Sequence, residues 1–156
     1  RLEDTAEAPD FAAGHSLGES DALLAAGCFD FESGLRLVRK RGELMGQVAN
    51  GGMAAVLNAD PERIQRILRE NGLDNLHLAN FNTPTQIVIS GLAEEIDRAQ
   101  AFFKRDNMRY YPLNTSGAFH SPFMRAAMDA FKTWMLQFRF REPRIPVIAN
   151  LTARPY

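Results

Sequence analysis

Apolar positions follow helical spacing in some segments of the chain and form short continuous runs in others. Because segments of both kinds occur, we expect an α/β protein. Helices are predicted over residues 17–26, 30–48, 60–72 and 93–105 and from Pro122 onward, with strands over residues 11–13, 53–58, 76–79, 86–90, 108–113 and 145–150.

One part of this pattern, residues 52–115, has the element order of a separate small unit. Asn50-Gly51-Gly52 predicts a break in the chain, and the elements after it run β-α-β-β-α-β, as in ferredoxin-like folds. We therefore expect a ferredoxin-like subdomain over 52–115, with the core of the domain formed by residues 1–51 and 116–156.

A charged residue interrupts the apolar stripe of the second predicted helix. Leu37, Leu44 and Val48 share one helical face, and Arg41 lies between them. An unpaired guanidinium costs several kcal/mol to bury, so Arg41 needs an anion nearby. An internal salt bridge or a stem that extends to solvent would also explain it.

The first strand and the first helix meet at the sequence Gly14-His15-Ser16-Leu17-Gly18. A serine on such a turn has its hydroxyl held clear of the backbone, as in a nucleophile elbow. We expect both glycines to leave room where a Cβ would collide with a neighbouring element. The Leu17 N–H, at the amino end of the helix, is the predicted oxyanion donor. The five-residue pattern by itself fits an ordinary strand-to-helix turn equally well.

A serine nucleophile needs a base, and the sequence offers three histidines. The side chain of His15 is expected to point to the opposite side of the turn from Ser16, so we do not expect it to serve as the base. His77 lies on a strand where a structural role is expected. His120 lies in a loop before a helix, where a structural role is the commoner one on residue type alone. No acidic residue stands out as a third member, since Glu19 and its neighbours fit helix-terminal roles.

Composition limits the classes of function. Among 156 residues, 46% are hydrophobic and the formal net charge is −1, which does not suggest a nucleic-acid-binding surface. The single cysteine predicts a reducing compartment, and we expect a cytoplasmic protein without a membrane span, signal peptide or metal site. Because little chain precedes the elbow and nothing covers the last strand, we expect a central piece of a longer domain.

Four segments, in order, resemble one enzyme family. They are Gly14-His15-Ser16-Leu17-Gly18-Glu19, Arg41-Gly42-Glu43-Leu44-Met45, residues 80–84 leading into 86–91, and Gly117-Ala118-Phe119-His120-Ser121. Together they resemble the malonyl/acyl-CoA:acyl-carrier-protein transacylases. The sequence of residues 114–121 is most similar to that of the discrete, trans-acting acyltransferases of polyketide assembly lines.

This resemblance implies a fold and a set of roles. The fold would be an α/β hydrolase-like body, incomplete in this chain, with the ferredoxin-like subdomain inserted. Ser16 and His120 would form a catalytic dyad, and Arg41 would bind the free carboxylate of malonyl. His15 is assigned to substrate binding, and Phe119 either excludes an α-methyl branch or fills the core.

The resemblance also implies partners and a reaction. Malonyl-CoA and an acyl carrier protein would be the two substrates, with other polyketide synthase modules as further partners and no metal or redox cofactor. A carrier-protein acyl hydrolase and a non-catalytic piece of a multienzyme remain alternatives. Hydrolase relatives tend to lack the arginine, so Arg41 favours malonyl transfer.

Overall fold

The computed structural model describes residues 9–115 and 117–156, which form two compact units. One unit comprises Lys132–Tyr156 and the described part of Arg1–Gly42, and the other comprises Glu43–Phe131. The subdomain boundaries at 51/52 and 115/116 stay a prediction, and Ser116 lies outside the described residues.

Helices and strands are interspersed along the chain, close to the positions that the hydrophobic pattern predicts. In chain order they are β1 (Ala12–Ala13), α1 (Gly18–Ala25), α2 (Phe31–Met45), β2 (Gly51–Leu57), α3 (Pro61–Glu70), β3 (Leu76–Thr83), β4 (Gln86–Leu92), α4 (Ala93–Arg105), β5 (Arg109–Pro112), a 3-10 turn (Pro122–Met124), α5 (Arg125–Met135) and β6 (Val147–Ile148).

In the first unit, β1 and β6 pair in parallel, with Ala12 opposite Val147 and Ala13 opposite Ile148. Both strands therefore end at the same edge, so the residues that follow each strand come together there. Ser16 and Asn150 follow the two strands at this edge.

The second unit contains a four-stranded antiparallel sheet in the order β3-β4-β2-β5. Helices α3 and α4 supply apolar faces to its core, and Asp60 caps α3 by accepting the Arg63 N–H at 2.7 Å. The fully buried residues of this core include Val56, Ile64, Ile89, Ala99 and Phe103.

Two local predictions need correction. Gly51 and Gly52 lie inside β2 and do not interrupt the chain. This error arises because glycine marks close backbone approach as well as chain breaks. Helix α2 ends at Met45, so Val48 lies beyond it.

The segment 139–144 is hydrogen-bonded to the loop after α1. The backbone N–H groups of Arg141 and Arg144 donate to the carbonyls of Cys28 and Ala26, each at 2.8 Å. Gly27, just after α1, has a φ of +82°, in the left-handed region that favours glycine at helix ends. In the described part of the chain, no helix has the length and apolar character to cross a membrane.

Candidate active site

Ser16 occupies a strained turn between β1 and α1. Its φ of +53° lies in the left-handed region, which costs a residue with a side chain roughly 1–3 kcal/mol. A Cβ on Gly14 would lie only 1.9 Å from the Gly18 carbonyl oxygen, so only glycine fits there. The strand-turn-helix context predicted for a nucleophile elbow is therefore present.

Gly18 does not have the role predicted for it. A Cβ on Gly18 would have no neighbour within 4 Å among the described residues outside its own helix backbone. Of the two elbow glycines, it is therefore Gly14 that permits the close approach, because the backbone of the first turn of α1 occupies the place where its Cβ would be.

Leu17 precedes the first residue of α1 and has helical dihedral angles, with φ −60° and ψ −36°. The N–H of Gly18 donates to the His15 carbonyl and that of Glu19 to the Ser16 carbonyl. The Leu17 N–H donates to no atom of the described residues. It lies next to Ser16 at the positive end of the helix dipole, as an oxyanion donor must.

Arg41 extends from α2 to the serine. Its Nη2 donates a hydrogen bond to the Ser16 Oγ at 3.0 Å. A guanidinium has donors only, so Oγ is the acceptor in this bond and its own proton is directed elsewhere. A cation at this distance also favours the developing alkoxide.

The guanidinium of Arg41 is half-buried, as its position in the apolar stripe predicts. Burial lowers the pKa of Arg41 from its ordinary value, and the charge of Glu19 acts in the opposite direction. Among the described residues, no carboxylate is within ion-pair distance of Arg41. The internal salt bridge considered from the sequence is therefore not formed there.

Asn150 also belongs to this site, although its sequence context predicts only the end of a strand. Its Oδ1 accepts the Ser16 N–H at 2.9 Å, and its Nδ2 donates to the Gly14 carbonyl at 2.6 Å. A polar residue just after a strand that pairs with the elbow strand is the signal that could have identified it.

In the second unit, the His120 loop packs against the start of β2. A Cβ on Gly51 would lie 2.0 Å from the Ala118 backbone nitrogen, so glycine is needed for this approach. His120 itself is exposed and has a φ of +57°. The next residue, Ser121, donates to the Ala118 carbonyl at 2.6 Å and accepts the Phe123 N–H at 3.3 Å. These bonds fix the loop on both sides of His120.

Phe119 is half-buried and covers Gly117. A Cβ on Gly117 would lie 2.5 Å from the ring Cε1 of Phe119. The ring position is therefore set by a glycine two residues earlier in the same loop.

A cavity of about 540 Å³ opens beside His120 within the same unit. His77 also lines it and makes an edge-to-face contact with Phe123, with ring centroids 6.3 Å apart. The structural role predicted for His77 is consistent with this ring contact. The other lining residues are Gln65, Leu68, Arg69, Leu73, Asp74, Leu76, Leu78, Phe81 and Pro122.

The predicted site residues thus fall into two groups. His15, Ser16, Leu17 and Arg41 belong to the first unit, where His15 is exposed and Arg41 contacts Ser16. Phe119 and His120 belong to the second unit. Among the described residues, no three or more histidines, cysteines or carboxylates are grouped so as to hold a metal ion.

Known proteins resemble this chain in both sequence and structure. A malonyl CoA-acyl carrier protein transacylase of polyketide biosynthesis from Bacillus subtilis, PksC, is 49% identical over 158 residues, covering 100% of this chain and 55% of the relative. A malonyl CoA-acyl carrier protein transacylase from Burkholderia pseudomallei superposes with a TM-score of 0.95 at 60% identity, covering 99% of this chain and 53% of that one.

A second similar structure contains a carrier protein. It is PlMCAT:AntF, a type II polyketide synthase acyl-carrier protein in complex with its malonyl-transacylase, with a TM-score of 0.92 and 34% identity. The match covers 99% of this chain and 52% of that one. The chain spans about half the length of these relatives.

The model of the acyl transferase domain matches residues 4–156. That range includes all four of the segments on which the resemblance rests, from the serine elbow to the His120 loop. The mixed α/β structure also agrees with those of the transacylases. The chain therefore belongs to the acyl transferase domain family.

Proposed function

We propose that this chain carries the nucleophile of an acyltransferase that moves a malonyl group from coenzyme A to the phosphopantetheine thiol of an acyl carrier protein. The observation that carries the proposal is the hydrogen bond from Arg41 to the Ser16 hydroxyl. It places a half-buried cation beside a serine on a strained elbow. A substrate that joins a thioester to a free carboxylate fits both groups.

The acyl-enzyme forms first. Ser16 Oγ attacks the thioester carbonyl carbon while its proton passes to His120, in the role that the family motif assigns to this histidine. The tetrahedral oxyanion accepts the Leu17 N–H. When the C–S bond breaks, His120 returns the proton to the sulfur, and coenzyme A leaves as a thiol.

The second half repeats these steps in reverse. The carrier-protein thiol gives its proton to His120 and attacks the malonyl-serine ester, and the C–O bond to Ser16 breaks. The proton then returns to Ser16 Oγ. Ser16, His120 and the Leu17 N–H supply the nucleophile, the base and the oxyanion donor, and no electron is exchanged, so the reaction as proposed needs neither a metal nor a redox group.

Arg41 would give this reaction its substrate preference. Its guanidinium can bind a carboxylate with two parallel hydrogen bonds, which acetyl and longer fatty acyl groups cannot accept. Phe119 is proposed to limit space beside the α-carbon. One methyl group is worth about 1–3 kcal/mol in such a pocket, so discrimination against methylmalonyl would be partial.

We also propose the finer fold assignment. The sheet order and the element order of the second unit match a ferredoxin-like βαββαβ arrangement. The parallel pair and the elbow of the first unit support a hydrolase-like body, of which this chain would supply one part.

The testing experiment is mass spectrometry of the full-length protein after mixing with malonyl-CoA. We expect a malonyl adduct on Ser16 that S16A does not form and that disappears when a carrier protein bearing phosphopantetheine is added. A folded wild-type protein without the adduct would contradict the proposal. Free malonate in place of malonyl carrier protein would indicate the hydrolase alternative.

A further inference from the structure

The side chain of Asn150 bridges the backbone on both sides of His15. Its Oδ1 accepts from the Ser16 N–H and its Nδ2 donates to the Gly14 carbonyl. These two bonds extend the pairing of β1 with β6 by one step, with a side-chain amide in place of a strand backbone. The amide thus holds the turn where the strands can no longer pair.

Asn150 is itself held by the first turn of α1. Its backbone N–H donates to Glu19 Oε1 at 2.7 Å, and the same oxygen accepts the Tyr156 hydroxyl at 2.8 Å. Glu19 follows Ser16 by three residues, and Gly14 precedes Ser16 by two. Asn150 therefore connects the chain before the nucleophile to the chain after it.

The conformation of Ser16 requires such support. A left-handed φ on a residue with a side chain persists only when its surroundings hold it there. The Ser16 carbonyl is fixed by the Glu19 N–H at 3.2 Å, and the Ser16 N–H is fixed by Asn150. With both backbone polar groups bound, the Cα–Cβ bond of Ser16 is aimed and Oγ reaches Arg41.

We propose that Asn150, anchored by Glu19, is a positioning residue that sets the reactivity of the Ser16 hydroxyl. This inference rests on the proposed role of Ser16 as nucleophile. Asn150 touches no reacting atom, so it acts through the backbone of Ser16. A displaced nucleophile slows the chemical step, whereas the carboxylate site at Arg41 is left in place.

The two partners of Asn150 require an amide specifically. The Ser16 N–H needs an acceptor and the Gly14 carbonyl needs a donor. A carboxylate has the same shape but places a negative oxygen against the Gly14 carbonyl. N150D therefore removes one bond with almost no change in volume, and N150A removes both.

The experiment compares N150D and N150A with wild type in the full-length protein. A fluorophosphonate reagent measures serine reactivity without malonyl-CoA, and steady-state kinetics give kcat and KM for malonyl transfer. Q137A is the matched control, because the exposed Gln137 amide also donates to a backbone carbonyl, that of Trp134 at 2.8 Å. We expect N150D to lower both labelling and kcat at least about 10-fold with KM within about twofold, and Q137A to match wild type.

The pH dependence of labelling separates positioning from a general loss of structure. Once protonated, the carboxyl group introduced by N150D can donate to Gly14 and accept from Ser16, as the amide does. The labelling rate of N150D relative to wild type should therefore rise as the pH falls. The titratable groups in this network are Glu19 and Tyr156, and both are common to the two proteins.

Two results would overturn the inference. One is wild-type labelling and wild-type kcat in both Asn150 variants. The other is unfolding of both variants in thermal denaturation, which would make Asn150 a residue of the fold alone. If wild type reacts with the fluorophosphonate but takes up no malonyl, the proposed function fails, and the labelling comparison still decides the role of Asn150.

Discussion

The Nη2 atom of Arg41 lies 3.0 Å from the Oγ atom of Ser16. The two residues are 25 positions apart, one on a strained turn and the other on helix α2. In water an arginine gains little from a hydroxyl partner, so placing its half-buried guanidinium here has a cost. A negatively charged group bound beside Ser16 would offset that cost.

Arg41 is expected to select for acyl groups that have a carboxylate. R41A should lower kcat/KM for malonyl-CoA about 10- to 100-fold more than for acetyl-CoA, the value of one charge-assisted interaction, because the loss of the hydrogen bond to Ser16 affects both thioesters alike. R39A is the matched control, since Arg39 is exposed on the same helix. Steady-state assays with malonyl-CoA and acetyl-CoA give the two kcat/KM values. An equal loss for both thioesters would contradict the assignment of Arg41 as the carboxylate-binding residue.

The two glycines of the elbow should respond in opposite ways to a methyl group. G14A forces a Cβ against the Gly18 carbonyl oxygen and should destabilise the protein by about 1–3 kcal/mol. G18A meets open space, and the helix propensity of alanine should stabilise it by up to about 1 kcal/mol. Urea denaturation gives both values, and equal stabilities would mean that the elbow backbone is not packed as described.

Local sequence signals predicted much of the fold. Helix α4 begins at Ala93 and ends at Arg105, as its apolar spacing predicts. The helix predicted over residues 60–72 begins at Pro61 after its cap Asp60, and such a start is predictable because capping depends on residues within one turn. The chain break predicted at Gly51 is wrong, because the glycine is required by the close approach of the Ala118 backbone, 67 positions away in the chain.

The same contrast between local and long-range signals holds for the candidate site. Ser16 and Arg41 could be predicted because a motif and a helical stripe are local patterns. Asn150 could not, because its bond to Ser16 spans 134 positions and depends on the register of β1 with β6. The sequence predicts only a helix-terminal role for Glu19. Its bonds to Asn150 and Tyr156 join residues more than 130 positions apart, so they depend on the folded chain.

Gly51 is expected to control the His120 loop. A Cβ there would displace the backbone at Ala118, two residues before His120, and overpacking of this kind costs about 1–3 kcal/mol. G51A should therefore lower both stability and malonyl transfer. The control is G52A, whose Cβ would meet its nearest neighbours at 3.4 Å. Full transfer activity in a folded G51A would show that the loop tolerates the shift.

Phe119 is expected to affect the choice between malonyl and methylmalonyl. F119A removes a half-buried ring and should raise kcat/KM for methylmalonyl-CoA relative to malonyl-CoA by about 10- to 100-fold. F140A, which removes an exposed ring from the other unit, should not change the ratio. Competition assays with both thioesters measure it, and a constant ratio in F119A would assign Phe119 to packing alone.

The hydroxyl of Tyr156 should make stability depend on pH in the alkaline range. Burial, together with the hydrogen bond to Glu19 and its charge, raises the pKa of Tyr156 to about 12. The folded state therefore retains a proton that the unfolded chain loses near its ordinary pKa of 10. This contribution to stability is fully present below pH 10 and is lost as the pH rises through 12.

Y156F removes the bond and with it this dependence on pH. At pH 8 the variant should be less stable by about 0.5–1 kcal/mol, the net value of one exposed hydrogen bond. The difference from wild type should shrink between pH 10 and 12, because wild type loses the bond as the phenol ionises. Urea denaturation at pH 8 and pH 11.5 measures it, with Y111F as the control for an exposed tyrosine. A difference that stays constant over this range would mean that Tyr156 does not hold Glu19, and the anchor of Asn150 would then be the backbone bond alone.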